Sequence, residues 1–194
     1  MTIPTNPTNA ERATYAANIV KAYRSANPDQ KRRGMMWYRV ANELAETIAG
    51  DARTGAGVIA ALSARQSWER NVRFATETFA TGEPKGHTRA VLEKVRRIMD
   101  GESPETVLPM HLKTGHFYKC IADPTDRDAV VIDRHALDAM TGEINGDRNR
   151  GLSNVKRYNV AADAYRHAAR FIGESPMVTQ AVVWVAHRDS LTSR

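Results

Sequence analysis

Apolar residues recur at helical spacing along nearly the whole chain, and the two-residue alternation of a half-buried strand persists nowhere. The pattern predicts helices over residues 10–25 and 35–49, the second carrying Trp37, Val40, Ala41, Leu44 and Ile48 on one face and stopped by Gly50. Asp51 or Thr54 can cap a third helix whose buried part is residues 57–64, and Ser67 a fourth with Val72, Ala75 and Phe79 inward. The Gly- and Pro-bearing stretch 81–86 reads as a loop, followed by a helix burying Val91, Val95 and Ile98. Ser103-Pro104-Glu105 has the form of a short helix start, and 110–121 reads as a further helix. A turn-rich segment, 123–128, precedes the apolar Val130-Val131-Ile132 and a helix over 133–140. The polar stretch 142–151 is the expected mobile loop, ahead of helices over 155–172 and from Ser175-Pro176 to about His187. No internal repeat is present. The expected fold class is all-α.

Composition narrows the classes. At 194 residues the chain has room for one domain or two small lobes. Its single cysteine, Cys120, excludes a disulfide framework and any cysteine-based zinc or iron–sulfur site within the chain. No apolar run is long enough to span a bilayer, and the first residues lack the basic start and apolar stretch of a signal peptide, so a cytoplasmic location and no membrane partner are expected. Lys and Arg number 28 against 22 Asp and Glu, a formal charge of +6. That excess, with clusters at Lys31-Arg32-Arg33, at Lys94 with Arg96-Arg97, and from Arg148 to Arg157, favours a nucleic-acid partner over an acidic small molecule. Each cluster also reads as a solvated helix face.

The apolar run delivers Asp133 to a helix start. There the helix dipole and free backbone amides favour its ionised form. A fixed carboxylate against an apolar wall can stabilise a developing cation or activate a nucleophile. Read by itself, the same residue is a helix N-cap.

The segment VVIDRHALDAM resembles the V-D-T-H element of the endonuclease III class of helix-hairpin-helix DNA glycosylases, in which the aspartate is catalytic and a histidine follows two positions later; these fall on Asp133 and His135. The preceding LPMHLKTGHFYKCI resembles that family's hairpin and second helix, L-P-G-V-G-x-K-T-A, with Lys113-Thr114-Gly115 on its Lys-Thr-Ala. GVIAALSARQSWERN is similar to the early helix end L-L-S-A-Q-A-T-D, and QAVVWVAHRD to the late helix H-W-L-I-L-H-G-R. The resemblance spans about residues 57–189 in the family's order. It departs in three places: Met110-His111-Leu112 stands where the hairpin glycines would be, Arg134 replaces the threonine, and the four-cysteine cluster is absent. A divergent member without an iron–sulfur cluster is implied, of a kind suited to a bacteriophage or mobile element in a bacterial or phage-infected cell.

The resemblance implies a two-lobed helical fold after a flexible lead-in of residues 1–9, with 57–132 forming one lobe and 10–50 packing with 133–194 as the other. It implies an enzyme that extrudes a damaged or modified nucleotide from double-stranded DNA and cleaves its N-glycosidic bond. Asp133 would stabilise the sugar cation or activate water. Lys113, a Schiff-base lysine in bifunctional relatives, would add lyase chemistry. DNA contacts would fall to Arg65 or Gln66 at the space left by the base, and to Thr114, Gly115, His116, Lys119 and Arg134. His135 would orient Asp133 or touch a phosphate, and surface or capping roles compete. Trp68 could stack on a base or pack between helices, whereas Trp37 and Trp184 read as core. His111 and His116, five apart, do not share a helix face as ligands, and no metal or cofactor is expected. Two other functions compete: modification of thymine in phage DNA on the same fold, and DNA binding without catalysis.

Overall fold

The computed structural model describes residues 2–144 and 150–192, and among them there are ten α-helices and no strand. They are α1 (Asn9–Ser25), α2 (Pro28–Ala49), α3 (Ala52–Leu62), α4 (Trp68–Thr81), α5 (Arg89–Met99), α6 (Pro104–Val107), α7 (Lys113–Ala122), α8 (Arg134–Thr141), α9 (Val155–Ile172) and α10 (Pro176–Thr192). The all-α expectation holds. Most of the polar stretch expected as a mobile loop, residues 145–149 with Arg148 of the third basic cluster, lies outside the described residues.

The chain divides into two compact units. The first comprises Met1–Trp37 and Asp126–Arg194, the second Tyr38–Thr125. In the first unit α1 packs on α8, α9 and α10, and α10 on α8 and α9. Gly34, in the second turn of α2, is pressed on α10: a Cβ there would stand 2.5 Å from the Val182 Cα. The first residues are held rather than free, with Ile3 buried and its carbonyl accepting from Arg157 Nε at 3.0 Å. In the second unit α3 is the centre. It is buried from Gly55 to Leu62 and touched by α4, α5, α6 and α7.

Several boundaries follow from caps. Asp51 accepts from the amides of Arg53 and Thr54, Ser67 from Arg70, and Asn154 from Arg157, each opening its helix. α2 begins seven residues before the expected Met35, because Pro28 suits the first turn and Asn27 exchanges hydrogen bonds with Gln30 in a capping arrangement. Its buried positions are Gly34, Tyr38, Ala41 and Ala45, and the expected core residue Val40 is 53% exposed. α4 buries Asn71, Phe74, Ala75 and Thr78, not the expected Val72 and Phe79, since Asn71 Nδ2 donates to the Ile59 carbonyl at 3.1 Å and draws that face inward. α7 begins at Lys113, three residues after the expected Met110. Gly115 there lies so close to the preceding turn that a Cβ would meet the Met110 Cα at 2.2 Å.

Candidate functional site

In the first unit the path to Asp133 is fixed from the turn upward. Asp126 accepts from the amides of Asp128 and Ala129, both at 2.7 Å, which closes the turn. The run Ala129–Ile132 is then buried outside any helix, so its backbone groups need partners. Tyr158 supplies two: its hydroxyl accepts from the Ile132 amide and donates to the Val130 carbonyl, each at 3.0 Å. Two turns along α9 the buried Tyr165 hydroxyl donates to the Ala136 carbonyl at 3.0 Å. These two tyrosines brace the run that leads into α8 and the first turn of that helix.

Asp133 is the N-cap of α8 and half-buried. Its Oδ1 accepts from the Ala136 amide at 2.8 Å, and its Oδ2 from the Trp184 indole Nε1 at 3.1 Å. Trp184 is itself held between Trp37, with ring centroids 5.0 Å apart, and the Arg188 guanidinium, 4.7 Å from the ring centroid. Both tryptophans are half-buried, less enclosed than the core role expected of them. The carboxylate is thus an immobilised anion with a donor on each oxygen.

His135 follows, half-buried, with its ring 5.5 Å from that of His187 on α10. Burial pushes its pKa below the usual value; Asp133 opposes this, while Arg134 and His187 add to it. One helical turn on, Asp138 is buried and forms an ion pair with Arg150, whose guanidinium also donates to Thr141 Oγ1 at 3.2 Å. His187 Nε2 lies 3.6 Å from the second oxygen of Asp138. Asp138, Arg150 and His187 were missed as site residues. The one available signal was the three-residue spacing from His135 to Asp138, which puts both on one face of a helix.

The remaining candidates belong to the second unit. Lys113, Thr114 and Lys119 are half-buried on α7, whose N-terminus has no side-chain cap. Gly115 and His116 are buried, so a DNA contact expected of the His116 ring would need the helix to shift. Arg65 is exposed and, alone among the described non-glycine residues, has a positive φ, +58°. Such backbone is uncommon away from glycine and recurs at functional sites. Gln66 beside it donates to the Gly86 carbonyl at 3.4 Å, and Trp68 packs edge-on against Phe117 at 6.4 Å, as the packing alternative for Trp68 requires. Lys113 and Asp133 therefore fall in different units.

Arg134 is exposed and donates through Nε to His135 Nε2 at 3.2 Å. Of the basic clusters, Arg32 and Arg33 pair with Asp29, Arg33 also with Asp189, and Arg97 with Glu102, so much of this charge is met locally. A cavity of about 310 Å³ opens between α1 and α9, lined in part by Arg12, Tyr15, Asp163 and His167, and it holds none of the sequence-predicted residues.

An all-helical chain with a braced carboxylate at a helix start defines a class no finer than a helical protein with a buried polar cluster. The chain belongs to a family of unknown function (DUF7178), whose model matches residues 1–191. No curated protein matches it, and neither does any solved structure. No helix among the described residues is long and apolar enough to cross a membrane.

Proposed function

We propose that the chain is a DNA-acting enzyme of the glycosylase type, with Asp133 as the charge that faces the reacting sugar. The observation that supports this is the double anchorage of the Asp133 carboxylate, by the Ala136 amide and the Trp184 indole, at the positive end of α8. A carboxylate so held costs little to reorganise as positive charge develops, which suits stabilisation of an oxocarbenium ion. It suits proton abstraction less, because both oxygens already accept hydrogen bonds. Of the two roles expected for Asp133, the electrostatic one is therefore the better supported. The positive φ of Arg65 lends secondary support, since strained backbone of this kind recurs at functional sites and Arg65 is the residue this reading assigns to the space of an extruded base. In this reading Lys113, in the second unit, supplies a Schiff-base amine or a phosphate contact.

The test is mass spectrometry of duplex DNA carrying damaged, uracil-containing or phage-modified bases after incubation with the protein, beside Asp133→Asn. Free base released by the wild type and lost in the variant supports the reading. Base retained with a changed mass would replace it with base modification. Borohydride trapping, with Lys113→Gln as control, separates a lyase from a hydrolase.

A second reading, DNA binding without catalysis, is favoured by one observation: Asp133 forms a complete N-cap, which needs no catalytic role to explain it. It predicts salt-dependent DNA binding that Asp133→Asn leaves unchanged, and no altered base.

A further inference from the structure

A second polar cluster on α8, beside the Asp133 cap, has a composition of its own. His135, Asp138 and His187 each offer one ligand-capable atom, and these three atoms all lie within 4.8 Å of one another. We propose that His135, Asp138 and His187 form a binding site for a divalent transition-metal ion, with zinc the best match to two imidazoles and one carboxylate. The inference stands apart from the glycosylase reading, for it requires neither DNA nor Asp133.

Three observations carry it. First, the set is the right chemistry: neutral imidazole and carboxylate ligate zinc, and three protein ligands leave a further position open for water or substrate. Second, His135 Nδ1 and His187 Nε2 are both buried with no hydrogen-bond partner among the described residues. Two orphaned ring nitrogens in one cluster are costly unless something fills the space between them. Third, the carboxylate is already oriented. Arg150 pairs with Asp138 Oδ1, and Oδ2 lies 3.6 Å from His187 Nε2. Fixing of a ligand by an outer partner is how metal sites are commonly built.

The geometry closes with modest movement. Zinc–ligand lengths near 2.0–2.1 Å put tetrahedral ligand atoms about 3.3 Å apart. The His187–Asp138 separation is near that, and only the half-buried His135 ring needs to turn inward. Ligation through Nδ1 places the His135 proton on Nε2, which now accepts from Arg134. The exposed Arg134 side chain would then swing into solvent, taking a positive charge away from the ion.

The expectation of no metal follows from the single cysteine and from the spacing of His111 and His116, which belong to the second unit. His135 and His187 are brought together only by the packing of α10 on α8.

The experiment uses the full chain, free of any affinity tag, stripped with EDTA and titrated with Zn²⁺ against a chromophoric chelator, with bound metal counted by elemental mass spectrometry. One equivalent of zinc is expected, with His135→Gln and His187→Gln each weakening it about 100-fold and His167→Gln leaving it unchanged. Circular dichroism and melting in EDTA establish that each variant is folded. Should a variant not fold, ¹⁵N shifts of the wild-type histidine rings decide the matter. Zinc should move the His135 and His187 ring nitrogens and leave the other four histidines in place. Absence of stoichiometric zinc, an His135→Gln/His187→Gln double variant that binds as tightly as wild type, or zinc shifts on other rings would each overturn the proposal and leave an ordinary His187–Asp138 polar contact.

Discussion

Replacing Arg150 by methionine should be the most damaging single charge removal in the first unit. The side chains of Arg150 and Asp138 are each only 3% exposed, so Arg150→Met takes a guanidinium away from a carboxylate held out of water. Breaking one half of a buried pair costs about 3–5 kcal/mol. The lower half of that range is expected, because methionine keeps the apolar stem packed and His187, 3.6 Å away, remains beside the other oxygen. With a urea m-value of about 2 kcal/mol/M, the unfolding midpoint should fall by about 1.5–2 M. Adding Asp138→Asn removes the buried charge itself, so the double variant should recover about half of the loss, and the cycle should show coupling of about 2 kcal/mol or more. The assay is urea unfolding followed by circular dichroism. As a control, Arg32→Met breaks an ion pair whose side chains are 76% and 54% exposed and should leave the midpoint where it is. A midpoint shift below about 0.3 M for Arg150→Met, or additive losses in the double variant, would refute the reasoning and mean that water reaches this pair.

Asp133→Ala should cost about 2 kcal/mol, combining a lost N-cap of about 1 with the stranding of the Trp184 N–H, whereas Asp133→Asn should cost about half as much, because an amide has one acceptor oxygen for two donors; chemical denaturation measures both. Gly115→Ala should destabilise the second unit by about 2 kcal/mol or more, since the new Cβ meets Met110 backbone at 2.2 Å, and an unchanged melting temperature would show that the turn before α7 yields freely. Acid stability should depend on Glu105. Burial alone would raise its carboxyl, but hydrogen bonds from Ser103, Tyr118 and Arg53 outweigh burial and hold it at about 2, below its ordinary 4.5. A depressed folded-state pKa contributes stability in full above about pH 4.5 and loses it as pH falls toward 2. Glu105→Gln should therefore melt lower than wild type at neutral pH and approach it near pH 2; a gap independent of pH would remove the carboxylate from the explanation.

Much of the helical order was legible because the caps are local. Asp51 and Ser67 open α3 and α4 where the residue pattern puts them, and α9 has the expected bounds. What was not legible depends on partners distant in sequence. Asn27-Pro28 is the local exception: it reads as the end of the first helix, and the exchange with Gln30, three residues on, makes it the start of the next as well. Asn71 and Thr78 are polar yet buried, which turns the inward face of α4 away from the one its apolar residues mark. Within the site, Asp133 was visible as a helix start after an apolar run, but the indole that binds its second oxygen comes from α10. The His135, Asp138, His187 and Arg150 cluster has no sequence spacing to betray it beyond the single turn shared by its first two members.

The same bonds that make Asp133 a good structural cap make it a good fixed charge, so loss of activity in Asp133→Asn is informative only if the loss of stability is measured beside it. The two polar clusters on α8 offer a way to separate these effects. Asp133 and His135 share one helical turn, so a variant that unravels that turn should weaken zinc binding as well as any DNA chemistry. A variant that removes only the Asp133 charge should leave zinc ligation by His135, Asp138 and His187 intact. Base release abolished in Asp133→Asn while zinc affinity holds would therefore assign the effect to the charge itself. Loss of both together would return Asp133 to its structural role as the residue that starts α8.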